Sequence, residues 1–275
     1  MTPTQTAQEP AVLDFKEATV DADGFTVRYL TAGEGEPLLV LHGAGGLETQ
    51  SSGMGRGKFM LADGFRAFFI EVPGFGDQPN DRTADSEVMA GTVLAVADAL
   101  GLDTFALLGT SMGAVIASWV ATTAPERVTR LVLEAPAFFR GHADPSSLSP
   151  DEFIKAFHAH PERKQLSPPD PDYAARTWPL VMKLVGPAHD EKLAAALAEI
   201  SIPTLVLIGQ DDGIVQIETG RFLRSIMHSC TNAIVYDAAH DVSGDRPEAF
   251  HAVVSDFLRR GSLFVVQERS TLLYP

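Results

Sequence analysis

Residues 109–113, Gly-Thr-Ser-Met-Gly, constrain this chain more than any other stretch because of what flanks them. A short apolar run, Thr104-Phe105-Ala106-Leu107-Leu108, comes before, and a long one free of Gly and Pro, Ala114 to Ala121, comes after. That order reads as a strand, a sharp turn and a buried helix. The turn forces Ser111 into a strained backbone, and Gly109 and Gly113, at i−2 and i+2, let strand and helix approach without a Cβ collision. The Ser111 hydroxyl is then presented at the edge of a sheet. Amides at the following helix N-terminus point toward any nearby anion, which suits a developing oxyanion. Ser111 is the candidate nucleophile.

Strand and helix patterns alternate around this turn. Val12 to Val20 and Phe25 to Thr31 read as two strands joined by Asp21-Ala22-Asp23-Gly24, a hairpin-turn composition. Leu38 to Leu41 is a strand covered on both faces and ends in His42-Gly43-Ala44-Gly45-Gly46. Further strands are predicted at Ala67 to Val72, Val128 to Leu133, Pro203 to Ile208 and Ala233 to Tyr236. Asp85 caps a helix through Leu100 with an apolar face of Val88, Val93, Leu94, Val96, Ala97 and Leu100, ended by Gly101. A helix is predicted over Gln216 to Met227. Another, running to Arg260, opens with Asp245 and Glu248 at capping-box spacing and Pro247 in its first turn.

The implied class is α/β, a mostly parallel central sheet flanked by helices. Between 137 and 200 the texture changes to Pro-rich chain with helical patches at Asp151 to His160, Trp178 to Val185 and Asp190 to Ile200. The expected organisation is therefore a leader over 1–11, a core made of 12–136 and 201–261, a helical insertion at 137–200, and an apolar tail over 262–275 that could add a strand or arm. No fixed-period repeat is present.

Composition narrows the partners. Among 275 residues, Lys+Arg 21 against Asp+Glu 36 gives a formal net charge of −15, which opposes any sequence-independent grip on nucleic acid or anionic lipid. No apolar stretch reaches the roughly 18 residues of a membrane span, and Met1 to Pro10 lack both a basic start and an apolar run. Cys230, the one cysteine, forms no internal disulfide and fits a reducing compartment. A cytoplasmic protein acting on a small molecule is expected, with a homo-oligomer open through the tail.

In a sheet of this kind ligand chemistry collects at the carboxyl ends of the strands. A serine hydroxyl there needs a base in contact, and the base needs an acid to fix its tautomer. His240, in the loop after the last strand, is the candidate base, while His42, before the glycine-rich turn, reads as a hydrogen-bonding brace. Asp212, out on the loop beyond Gly209, is favoured as the acid over its neighbour Asp211 and over Glu134 at another strand end. His158 and His160 show no third ligand at metal spacing, so no metal site and no cofactor are expected. Phe138, Phe139, Phe153, Phe157, Trp178 and Met182 either line an apolar pocket or form ordinary core in the insertion.

These motifs, His42-Gly43-Ala44-Gly45-Gly46, Gly109-Thr110-Ser111-Met112-Gly113, Gly209-Gln210-Asp211-Asp212 and Ala239-His240-Asp241, resemble in order and spacing those of the α/β-hydrolase fold family, over roughly Val12 to Arg260. The resemblance implies a Ser111–Asp212–His240 triad. It also implies an oxyanion hole from the amides of Met112 and Ala44, with Gly45 in reserve, and a cap over the pocket formed by the insertion. Gly45, Phe138, Phe139, Trp178 and Met182 are then the expected substrate contacts. The chain departs from the family pattern in having Glu71 and Gln78 at the ends of the loop Glu71-Val72-Pro73-Gly74-Phe75-Gly76-Asp77-Gln78, and Gln216 where many relatives have Pro. Serine, not aspartate, at 111 argues against the epoxide-hydrolase and haloalkane-dehalogenase branches. The implied chemistry is ester hydrolysis of a carboxylesterase-like kind through an acyl-enzyme. One alternative is a carbon–carbon hydrolase of the meta-cleavage-product type, resembled in Ser111-Met112 and lid size but with Thr110 where those enzymes often have Asn. A second is a slow-turnover ligand receptor or interaction protein that keeps the triad.

Overall fold

The four residues Leu38 to Leu41 are fully buried, yet they feed two different cores. Leu39 and Leu41 join one cluster, Leu38 and Val40 the other, because successive side chains leave a strand on opposite faces. The same alternation holds for Leu107 against Leu108 and for Val206 against Leu207. Such strands must be covered by helices on both sides, and each fully buried Leu or Val contributes about 1.5–3 kcal/mol.

The computed structural model describes residues 14–49, 56–76, 85–139, 148–163 and 171–266. In chain order the elements are β1 Lys16–Ala22, β2 Phe25–Ala32, β3 Pro37–Leu41, α1 Gly46–Thr49, α2 Arg56–Phe59, β4 Arg66–Ile70, α3 Ser86–Ala99, β5 Phe105–Thr110, α4 Met112–Thr123 and β6 Val128–Glu134. They continue as α5 Pro150–Phe157, α6 Pro171–Val185, α7 Glu191–Glu199, β7 Thr204–Gly209, α8 Ile217–Ile226, β8 Cys230–Val235, α9 Val242–Asp245 and α10 Pro247–Arg260. The eight strands form one sheet in the order β1-β2-β4-β3-β5-β6-β7-β8. Pairing is antiparallel at β1–β2 and β2–β4 and parallel from there on. The parallel strands all deliver their carboxyl ends, and the loops that follow them, to one edge.

Helices α5, α6 and α7 stand between β6 and β7 in the chain. Leu180, Val181, Leu184 and Val185 of α6, with Leu193 and Leu197 of α7, are buried in the cluster that α3 and α4 share with the sheet. The inserted segment thus extends the main core.

Several expectations are corrected. The first strand starts at Lys16, and Val12, with the whole of the 1–11 leader, lies outside the described residues. On α3, Val88 is 59% exposed, and Met89 and Ala90 take its place in the core. Helix α6 begins at Pro171, well before Trp178, because proline at the first helical position lacks only a donor that has no acceptor there. Tyr236 falls outside β8 and is 65% exposed. The Asp245–Glu248 capping box does not form: Asp245 belongs to α9, whose cap is Asp241, and α10 starts after Arg246 with Pro247 at its first turn. Of the 262–275 tail, the described part is no strand but continues a 3-10 helix, Gly261–Val266, with Phe264 packed edge-on to Phe257 at 5.4 Å; residues 267–275 lie outside the described residues.

Candidate active site

Ser111 sits between β5 and α4 with φ 53 and ψ −113, a conformation costly for a residue with a Cβ. The surroundings enforce it. A Cβ on Gly109 would stand 2.4 Å from the Gly113 carbonyl oxygen, and one on Gly113 would stand 2.4 Å from that of His42. The elbow is also held from the next strand, since the Ser111 amide donates to the Glu134 carbonyl at 2.8 Å.

His240 and Asp212 reach Ser111 from the loops after β8 and β7. His240 Nε2 lies 2.9 Å from Ser111 Oγ. Its Nδ1 lies 3.0 Å from Asp212 Oδ2 and 3.2 Å from Oδ1. Asp212 Oδ1 also accepts from the amides of Ile214 and Val215, each at 2.8 Å, so the carboxylate is fixed before it meets the imidazole. With Nδ1–H donated to a carboxylate, Nε2 is left as the acceptor facing Ser111. Burial disfavours the imidazolium of His240. The charge and hydrogen bond of Asp212, with the charges of Glu134 and Asp241, outweigh this and hold its pKa above the ordinary histidine value.

The other two acid candidates are engaged elsewhere. Asp211 is exposed. Glu134 is fully buried and bonded to Lys58, Thr110 and Ser243. Among the predicted oxyanion donors, Met112 is the first residue of α4, where amides have no intrahelical acceptor. Ala44 follows Gly43, whose Cβ position lies 3.4 Å from Ser111 Cβ, so the glycine-rich turn borders Ser111. Glu71, the departure in the next loop, is satisfied by Arg28 at 2.8 Å.

His42 is the brace. Its Nδ1–H donates to the Gly43 carbonyl at 2.7 Å and its Nε2 accepts from the Val72 amide at 2.9 Å. Burial, aided by Arg28 and Lys58 and partly opposed by the Gly43 bond, pushes its pKa down to about 4. Its stabilising effect is therefore complete above the unfolded value of about 6.5 and is lost as pH falls toward the folded one, by about 3 kcal/mol in all. Urea midpoints measured at neutral and mildly acid pH should converge in His42→Gln relative to wild type. An unchanged pH slope would remove His42 as the cause. Burial also pushes the Cys230 thiol up to about 12, which leaves no competing thiolate there.

The expected substrate contacts divide. Trp178 is half-buried against the main core, and Phe139 packs on Phe222 at 4.5 Å. The Gly45 carbonyl accepts from Tyr173 Oη at 3.4 Å. Phe138 is fully buried as core, and Met182 on α6 is 40% exposed. Among the described residues, the aromatic ring packed against His240 is that of Phe157, which meets the imidazole edge-on at 4.7 Å and stacks on Phe153 at 4.4 Å. The end of α5 is tied to both triad loops: the Gly213 amide donates to the Ala156 carbonyl, and the Asp241 amide to that of Phe157.

The histidine pair of the insertion separates. His160 turns to Asp237 and Glu162. His158 Nδ1 lies 3.5 Å from Asp241 Oδ2 and 4.0 Å from Asp245 Oδ1, and ligand atoms of the three fall within 4.8 Å of one another. The sequence spacing offered no third ligand; the fold supplies two carboxylates. Among the described residues this is the group that could hold a metal ion, and it brings the end of α5 against the segment that follows His240. Lys58, Ser243 and Thr110, which surround Glu134, are the polar groups near the site that sequence reasoning missed.

The chain has the α/β-hydrolase fold. A family model described as alpha/beta hydrolase fold matches residues 36–170. The chain is 27% identical to a 2-hydroxy-6-oxo-6-phenylhexa-2,4-dienoate hydrolase of Burkholderia cepacia, over 90% of this chain and 96% of that one. It is 26% identical to a pimeloyl-[acyl-carrier protein] methyl ester esterase of Aliivibrio fischeri, over 84% and 96%. Among solved structures, a serine hydrolase involved in carbazole degradation superposes with a TM-score of 0.75 at 22% identity, covering 90% of this chain and 99% of that one. Among the described residues no helix is long and apolar enough to cross a membrane.

Proposed function

We propose that this protein is a serine hydrolase in which Ser111 attacks a substrate carbonyl, His240 carries the proton and Asp212 holds the imidazole. The observation that supports this most is the continuous chain of hydrogen bonds from Ser111 Oγ through both nitrogens of His240 to Asp212, in a buried site. A free serine hydroxyl is a weak nucleophile, and an imidazole within 2.9 Å removes its proton as the C–O bond forms. The oxyanion is received by the amides of Met112 and Ala44, each such donor being worth about 10²–10³ in rate. His240 then returns the proton to the leaving group, and a water that it deprotonates cleaves the acyl-enzyme. Helices α5 to α7 act as the cap that shapes the pocket. The single cysteine and acidic surface support action in the cytoplasm.

For the scissile bond, the Burkholderia relative, matched nearly end to end, favours a carbon–carbon bond next to a ketone. The leaving group is then a carbanion that a conjugated carbonyl must stabilise, and the proton carried by His240 goes to carbon. The esterase relative favours the ester reading, in which that proton goes to an alkoxide. Steady-state turnover of a 2-hydroxy-6-oxo-dienoate, followed by loss of its chromophore, and of a short p-nitrophenyl ester separates the two. The dienoate is expected to have the higher kcat/KM by at least about tenfold, a difference of about 1.4 kcal/mol in transition-state binding. The reverse order would return the ester to first place, and stoichiometric binding of both without turnover would point to a receptor.

A further inference from the structure

Behind the elbow lies a polar network that the hydrolytic steps do not use. Glu134 is fully buried and Lys58 is 3% exposed. Glu134 Oε2 accepts from Lys58 Nζ at 2.9 Å and from Thr110 Oγ1 at 2.7 Å. Its Oε1 accepts from the Ser243 amide at 2.7 Å, and Lys58 Nζ donates also to Ser243 Oγ at 2.6 Å. The Glu134 carbonyl accepts from the Ser111 amide. One residue is therefore bonded to the nucleophile's own backbone, to the side chain just before it, and to the loop three residues past His240.

We propose that Glu134 and Lys58 are positioning residues for Ser111 and His240, a buried charge pair that clamps the nucleophile elbow and the histidine loop into register. This rests on the serine-hydrolase reading above. The argument is geometric first. Ser111 and His240 come from segments far apart in the chain, and a displacement of about 1 Å between two reacting groups can cost about 100-fold in rate. Lys58 is brought there by close packing of α2: a Cβ on Gly57 would stand 2.9 Å from both the Ser243 carbonyl oxygen and the Phe250 ring. A buried ion pair is a poor source of net stability, since well-packed apolar residues often do as well, so the pair calls for another reason.

Electrostatics supplies a second signature. The charged groups that act on His240 are Asp212, which it bonds, with Glu134 and Asp241 behind; from α5 it meets the apolar ring of Phe157. Glu134 favours the imidazolium that forms as Ser111 is deprotonated, and the cation paired with it at 2.9 Å, Lys58, is expected to weaken that pull. Packing alone would position the loops without moving the titration of His240.

The test uses Glu134→Gln, Lys58→Met and the double variant. It reads kcat and KM on a short p-nitrophenyl ester, the rate at which a fluorophosphonate labels Ser111, and the midpoint of the acid limb, each per folded protein. Glu134→Gln should lower kcat and labelling about 10- to 100-fold with KM within about twofold, and move the midpoint to lower pH. Lys58→Met should move it to higher pH. The double variant, neutral again, should bring it back toward wild type and recover part of the lost rate. Should the single variants not fold, Thr110→Val, an isosteric change that leaves the pair intact, should still slow labelling several-fold. Wild-type rates and an unshifted midpoint in Thr110→Val and in whichever pair variants fold, or losses that follow only the folded fraction, would overturn the clamp. Labelling that persists in Ser111→Ala would instead overturn the nucleophile, and the clamp with it.

Discussion

Ser111→Ala is expected to reduce kcat by about 10⁴- to 10⁶-fold on any substrate the wild type turns over, and to abolish fluorophosphonate labelling. The size of the loss follows from how the site is built. His240 and Asp212 form no covalent bond to the substrate, so without Oγ no acyl-enzyme forms and the water activated by His240 has no such intermediate to cleave. What remains is the oxyanion hole and binding, which alone sustain only about 10³–10⁴ over the uncatalysed reaction. The alanine fits without rearrangement, because the φ of 53 is imposed by Gly109, Gly113 and the Glu134 carbonyl rather than by the hydroxyl. KM should therefore stay within a few-fold of wild type while kcat collapses. A variant that keeps more than about a tenth of the wild-type rate would show that another group attacks.

Much of this site was legible in the sequence, and the physical reason is locality. The elbow is written within five residues because its geometry needs small side chains at fixed offsets, and the structure meets that need with near-contacts at Gly109 and Gly113. His240 and Asp212 were legible at one remove, as polar residues in loops after buried strands, since parallel strands deliver those loops to one edge. Lys58 was not. It lies in Gly55-Arg56-Gly57-Lys58, a polar stretch with no periodicity, and its burial depends on Gly57 packing against residues nearly two hundred positions away. Asp245 was misread for a related reason: its spacing to Glu248 suits a helix cap, but its carboxylate instead accepts from the amides of Ala159 and Ala239, one from the insertion and one from the histidine loop. Long-range partners of a charged side chain leave no mark on the local pattern.

Those partners also explain why the inserted helices bear on the chemistry. Helix α5 hands its last carbonyls to Gly213, next to Asp212, and to Asp241, next to His240. The ring of Phe157 closes the space beside the imidazole. A shift of α5 would therefore move the Asp212 and His240 loops together, which couples the inserted segment to the proposed acid and base.

Asp212→Asn should lower kcat by about 10⁴-fold while Asp211→Asn changes it by less than about twofold. Asparagine keeps the shape of the side chain and can keep its carbonyl oxygen on the amides of Ile214 and Val215, which both bond Oδ1 in the wild type. Its NH₂ then faces His240 Nδ1, a donor against a donor, unless the imidazole changes tautomer. If it does, the proton sits on Nε2 and cannot accept another from Ser111. The variant also removes the largest force that raises the pKa of His240, so burial should dominate and the acid limb of the residual activity should move to lower pH. Glu134 cannot take over, because its two carboxylate oxygens are committed to Lys58, Thr110 and Ser243. Near-wild-type turnover in Asp212→Asn, with a large loss in Asp211→Asn, would transfer the role to the exposed neighbour. It would also require the loop after β7 to rearrange before catalysis.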